Sequence, residues 1–233
     1  MTFYLPFRSL MLKTQKNRSL ILTPLFLLLL LAMGGAKLNA QCNCKYVVGT
    51  GSPSGISTLS VAIDSFPGIE APGDSCVKII GQFNVDANET WNLGPTSPAL
   101  SRIIFANSGS SLFVLNGGTL NATPRAVFIP CNPFGTWRGV FIQSGGTINT
   151  DSARFINANI AGISISNDAY FDIRGSLFVE CTDGLRIIGQ QTPANHTVEG
   201  NQFYNCTTGI DMLSAINVNI LNNWYHFTGL TNT

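Results

Sequence analysis

The sequence predicts an all-β chain wound as a coil of short parallel strands, and three observations lead there. First, one glycine keeps returning before an alternating apolar pair: Gly139 with Val140 and Ile142, Gly162 with Ile163 and Ile165, Gly184 with Leu185 and Ile187, Gly209 with Ile210 and Met212. The steps between these glycines are 23, 22 and 25 residues. Second, each unit continues with another pair and then an aromatic residue at fixed offsets: Ile148, Thr150 and Phe155; Phe171, Ile173 and Phe178; His196, Val198 and Phe203; Val218, Ile220 and Tyr225. Third, 45% of positions are hydrophobic and 11% charged, which excludes a disordered chain and implies a surface covered mostly by uncharged polar side chains, and no 3.6 periodicity appears in these units.

Alternation at a spacing of two marks strands with one face inward, and the glycines and Asn/Ser/Thr runs mark corners. Three short strands per unit cannot bury a core alone, whereas stacked units can. Parallel neighbours lie about 4.8 Å apart, so equivalent residues form columns. Phe155, Phe178, Phe203 and Tyr225 are expected as an aromatic stack inside the coil. Two residues further on, Asn157 and Asn205 are expected in an amide ladder that Glu180 interrupts. The frame extends back to Leu112, Val114, Leu120 and Ala122, and Phe113–Asn121 echoes Phe141–Asn149. An antiparallel sandwich also uses short strands and Gly-rich turns, but it does not require a constant unit length.

The N-terminus reads as an address. A basic stretch from Arg8 to Arg18 precedes an apolar run from Leu20 to Met33, and a small-residue region ends at Ala40. Fourteen apolar residues are short for a bilayer span of about 20, so residues 1–40 read as a secretory signal peptide. No membrane span is expected after its removal. From residue 41 onward, eight basic residues face twelve acidic ones, which excludes the basic footprint of a nucleic-acid binder.

Residues 41–75 are expected to cap the coil. Ile56, Leu59, Ile63 and Phe66 fall at helical spacing, with Ser54 as a candidate N-cap. The coil itself is expected over residues 76–233. No comparable cover appears at its far end, which suggests a chain truncated at the C-terminus. All six cysteines follow the signal: Cys42, Cys44, Cys76, Cys131, Cys181 and Cys206. In an exported chain these are disulfide candidates, with fifteen possible pairings. Cys181 and Cys206 occupy equivalent positions, and a bridge between rungs about 4.8 Å apart needs a local tilt to bring the Cβ atoms near 3.8 Å. A bridge and a pair of free thiols both remain open there.

The segment Cys131-Asn-Pro-Phe-Gly-Thr-Trp137-Arg-Gly139-Val-Phe-Ile142-Gln-Ser-Gly-Gly146 resembles the Cys…Trp-x-Gly-Ile rung of secreted bacterial right-handed parallel β-helix repeat proteins. Many of these are exported by bacteria with a type IX secretion pathway. Cys76-Val-Lys-Ile-Ile-Gly81-Gln-Phe-Asn-Val-Asp86 is similar to their opening strands, and the resemblance covers roughly residues 76 to 230. It implies a right-handed, pectate-lyase-like coil and a secreted or cell-surface setting, and implies no activity by itself.

Candidate chemistry is sparse. Asn84-Val-Asp86 matches the Asn-x-Asp element of polygalacturonase-like enzymes, whose Asp-Asp pair and Gly-His-Gly are missing. Asp168, Asp172 and Asp183 read as turn acceptors rather than calcium ligands. His196 sits at an apolar ladder position, and His226 near the chain end. Trp91, Trp137 and Trp224 read as core or cap residues that could stack on sugars if exposed. Two long corners, Pro130 to Thr136 and Gly189 to Ala194, are the places where a solenoid displays loops. No catalytic, cofactor or metal residue is assigned. The expected function is an exported structural or binding module whose partners are carbohydrate or cell-surface components. The alternative is a polysaccharide lyase or hydrolase whose catalytic rungs are missing from this chain.

Overall fold

The computed structural model describes residues 44–65, 76–94, 102–190 and 196–227. A first strand, β1 (Tyr46–Val48), leads into six turns of three strands each. These are β2–β4 (Cys76–Ile79, Gln82–Val85, Thr90–Leu93), β5–β7 (Arg102–Phe105, Ser111–Val114, Thr119–Ala122) and β8–β10 (Val127–Pro130, Gly139–Ile142, Thr147–Asp151). Then follow β11–β13 (Arg154–Ile156, Ala161–Ile165, Tyr170–Arg174), β14–β16 (Leu177–Val179, Asp183–Gln190, His196–Glu199) and β17–β19 (Thr208–Ile216 and Val218–Leu221 after Gln202–Tyr204). β20 (Trp224–His226) starts another turn. Every turn gives one strand to each of three parallel sheets, of eight, six and six strands. We call these the first, second and third faces.

The register places the predicted columns in line: Phe155 pairs with Phe178, Phe178 with Phe203, and Phe203 with Tyr225. Their rings stack at 5.0, 5.0 and 5.2 Å between centroids, within 15° of parallel. Toward the N-terminal end the stack continues through Phe128, 4.6 Å from Phe155. There Pro130 stands in the first-face column where another turn has an aromatic, and Trp137 from the following corner lies 3.9 Å from Phe105. The buried Trp137 indole donates its Nε1–H to Ile156 O at 2.7 Å.

This stack explains the recurring glycine. A Cβ on Gly162 would lie 2.7 Å from Phe178 Cδ1 and 2.7 Å from Gly184 O, and Gly184 and Gly209 face Phe203 and Tyr225 in the same way. For these three glycines the glycine and aromatic signals are one packing constraint seen twice, whereas Gly139, at φ 139°, faces the backbone of Ala161 instead.

The corner that contains Asn157, Glu180 and Asn205 differs from the expected amide ladder. All three adopt left-handed backbone, with φ of 60°, 53° and 53°, a region in which Asn is enriched. The backbone turn, rather than a side-chain ladder, sets this position, and Glu180 fits it. Amide ladders occur elsewhere. Outside the third face, Asn121 Nδ2 donates to Asn92 Oδ1 at 2.8 Å and Asn149 Nδ2 to Asn121 Oδ1 at 2.9 Å. Inside the coil, Asn201 Nδ2 donates to Ile173 O, Asn223 Nδ2 to Val198 O, and Asn201 Oδ1 accepts from Ser176 N–H.

The helix, α1, spans Leu59–Ser65 and begins later than Ser54. Ser54 Oγ instead donates to Val47 O, and the acceptor at the helix start comes from the coil: Asp86 Oδ2 receives Ser60 Oγ–H at 2.8 Å and lies 3.4 Å from Ser60 N. Leu59 and Ala62 are buried, and α1 packs on β3, the outermost strand of the second face. Phe66 and residues 1–40, where a signal peptide is expected, lie outside the described residues.

Cys44 and Cys76 form a disulfide, and Cys131 is also disulfide-bonded. Cys42 lies outside the described residues. Cys181 and Cys206 are free, buried thiols, so these two candidates are not joined. Regular strand spacing is preserved through Phe178–Phe203, and without a tilt it holds the two residues further apart than a disulfide requires.

Candidate functional site

Alternation that fills the core also builds columns on the outside. On the second face the register aligns Asn84, Phe113, Phe141, Ser164, Arg186 and Asp211, one residue per turn. Phe113 and Phe141 are half-buried and stack at 4.9 Å with 17° between planes. The Arg138 guanidinium lies over the Phe141 ring, 5.5 Å from its centroid. At one end of this pair Asn84 Oδ1 accepts from Gln82 Nε2 at 2.8 Å.

At the other end Ser164, only 8% exposed, separates Phe141 from Arg186. Beyond it Arg186 pairs with Asp183 on its own strand and with Asp211 of the next turn at 3.3 Å. The column thus carries an aromatic pair and, one rung further on, a guanidinium held between two carboxylates. Aromatic faces take apolar C–H surfaces, and immobilised planar polar groups select hydroxyls by orientation. Arg138 stands beside Phe141 as a further donor.

The other faces differ. The outward column of the first face holds Lys78, Ile104, Ile129, Ile156, Val179, Tyr204 and His226, mainly aliphatic, with Ile104 itself fully buried. Outside the third, Thr90, Thr119 and Thr147 form one column and Asn92, Asn121 and Asn149 another. There Arg174 pairs with Asp172 at 2.8 Å and Glu199 at 3.0 Å, and the hydrogen bond to Asp172 holds its guanidinium proton more firmly than usual.

The sequence-selected residues are dispersed. Asp86 serves the start of α1, Asp168 accepts from Asn167 Nδ2 in a turn, and Asp172 and Asp183 lie on different faces. Among the described residues no three His, Cys, Asp or Glu side chains could share a metal ion. His196 is fully buried and stacks on Phe171 at 4.5 Å, with Nδ1 accepting from Phe171 N–H. Trp91 and Trp137 are core residues, whereas Trp224 is exposed beside Gln202 on the first face. Most of the Gly189 to Ala194 corner lies outside the described residues. The Pro130 to Thr136 corner displays Phe134 at 92% exposure on a turn held by Asn132, whose Oδ1 accepts from Phe134 N–H. Sequence reasoning missed the Phe113–Phe141 pair. Its signal was present in the echo between the two segments, where an aromatic recurs at an outward position.

Three parallel sheets closed around stacked interior ladders define a parallel β-solenoid. The chain belongs to the right-handed β-helix family: the family model described as "Right handed beta helix region" matches residues 93–227, more than half of the chain. No curated protein and no solved structure matches it. Among the described residues no helix is long and apolar enough to cross a membrane.

Proposed function

We propose that this chain is an exported bacterial β-helix module, secreted or held at the cell surface, that binds carbohydrate on its second face and serves adhesion. The observation that carries the reading is the Phe113–Phe141 stack facing outward beside Arg138, Asn84 and the Arg186 cluster. Such a pair contributes nothing to the core. Export is supported by the signal-like N-terminus and by the Cys44–Cys76 disulfide, a bond that persists in oxidising compartments. A glycan array probed with the purified protein and with Phe141→Ala tests it. Binding that Phe141→Ala abolishes while the circular dichroism spectrum is retained supports the reading, and silence across the array removes it.

One observation favours a second reading, a polysaccharide lyase or hydrolase. Asp183, only 4% exposed, and the more accessible Asp211 both pair with Arg186 on the second face, and acid–base cleavage of a glycosidic bond uses two placed carboxylates. Release of reducing ends or of unsaturated uronate products from a polysaccharide panel, lost in Asp211→Asn, would establish it.

A further inference from the structure

Cys181 and Cys206 are the two thiols that the function above does not use. Both are 2% exposed and belong to the core. Cys181 Sγ lies 3.6 Å from Phe155 O and 3.5 Å from Val179 O. Cys206 Sγ lies 3.6 Å from Phe178 O and 3.8 Å from Tyr204 O. These are the same two positions of the repeat, one turn apart: the carbonyl of the aromatic in the preceding turn, and the carbonyl two residues back. The two side chains therefore share one rotamer and are related by a translation of one rung, about 4.8 Å. A disulfide needs sulfurs about 2.0 Å apart, which this column does not supply.

A metal–thiolate bond is about 2.3 Å long, so two such bonds placed end to end span about 4.6 Å. We propose that Cys181 and Cys206 form a linear, two-coordinate site for a soft monovalent cation, with Cu(I) as the physiological class and Ag(I) as its stable analogue. Thiolates prefer such ions, and the absence of further ligands excludes tetrahedral zinc. On binding, both thiol protons leave, one cation enters, and no electron is transferred. The two sulfurs and the ion carry one net negative charge. Backbone N–H groups of Ala158 at Cys181 and of Cys181 at Cys206 face that charge.

The test loads the full chain, its disulfides intact, with Ag(I) or with Cu(I) supplied as its acetonitrile complex, oxygen-free and without a thiol or phosphine reductant, both on the native protein and during refolding from urea, followed by native mass spectrometry. One ion per chain is expected, falling to none in Cys181→Ser and in Cys206→Ala, with a raised unfolding temperature in the loaded wild type. X-ray absorption at the copper edge should give two sulfur neighbours and no nitrogen or oxygen. Four outcomes overturn the site: no retained ion, equal retention by the variants, retention of Zn(II) in place of Ag(I), or a Cys181–Cys206 disulfide in the purified protein. Should a variant fail to fold, the wild-type stoichiometry and absorption spectrum still decide.

Discussion

Replacing Gly162 with alanine turns the repeat pattern into a test with a definite sign. Gly162 lacks the left-handed backbone that favours glycine at other corners, so alanine meets no backbone strain there. On the unfolded chain alone, Gly→Ala at such a site stabilises by about 0.4–1 kcal/mol. Packing opposes this. The new Cβ would lie 2.7 Å from Phe178 Cδ1, 3.0 Å from Cε1 and 2.7 Å from the carbonyl oxygen of Gly184. The Phe178 ring cannot slide along the coil, because Phe155 and Phe203 stack on its two faces at 5.0 Å each. Overpacking in a filled core costs about 1–3 kcal/mol. The net expectation is destabilisation of about 1–2 kcal/mol, a drop of roughly 2–8 °C in melting temperature for a chain of this size. Thermal and urea unfolding by circular dichroism measure it. A double-mutant cycle with Phe178→Ala isolates the cause. Removing the ring alone should cost about 3–5 kcal/mol, and the double variant should cost less than the sum by about 0.5–3 kcal/mol. A stabilised Gly162→Ala, or strictly additive variants, would refute the coupling between glycine and aromatic columns.

Cys44→Ser opens a link between residues 32 apart, and the chain-entropy estimate puts its loss at about 3–4 kcal/mol, read by urea unfolding with and without reductant. Asn201→Ala leaves the buried Ser176 N–H and Ile173 C=O without their side-chain partner, so a loss of about 2 kcal/mol or more is expected in the same assay. Trp137→Phe keeps a ring beside Phe105 but removes the bond to Ile156 O, at a cost of about 0.5–1.5 kcal/mol plus the lost packing, read in the same assay. Tyr225 is 47% exposed, and partial desolvation of its phenol raises it above its usual range. The unfolded chain then ionises first as pH rises. Its contribution is complete below the ordinary tyrosine range and declines above it, and Tyr225→Phe should flatten that decline in alkaline melting curves.

The coil was legible because its core is periodic. Gly162, Gly184 and Gly209 and the rings they accommodate recur at fixed offsets, and a ring held between neighbours tolerates no drift in register. Corners were harder. Residues 157, 180 and 205 share a backbone conformation, which Asn and Glu can both adopt, so side-chain identity pointed to a ladder that the chain builds elsewhere. The start of α1 was hidden for a related reason. Its acceptor is Asp86, from the coil, and a search for a local cap settles on Ser54. The second-face site combines Asn84, Phe113, Phe141 and Arg186 from four different turns, so no contiguous motif could announce it.

The contrast between inside and outside ranks these surface residues. On the first face the interior column repeats rings, with Phe, Tyr and Trp following one another, whereas the third-face interior mixes sizes, Trp91 beside Leu120 and Leu93 beside Ala122. An outer position meets only its two column neighbours and water, so an uncharged polar residue satisfies it, as Thr90, Thr119 and Thr147 do on the third face. Phe113 and Phe141 leave hydrophobic surface partly in water where Thr or Asn would remove that cost, at about 25 cal/mol for each Å² of apolar area. Stacking on each other recovers only part of it. A ligand that covers the rings recovers the rest, and Arg138 and Arg186 provide the polar groups that would orient it.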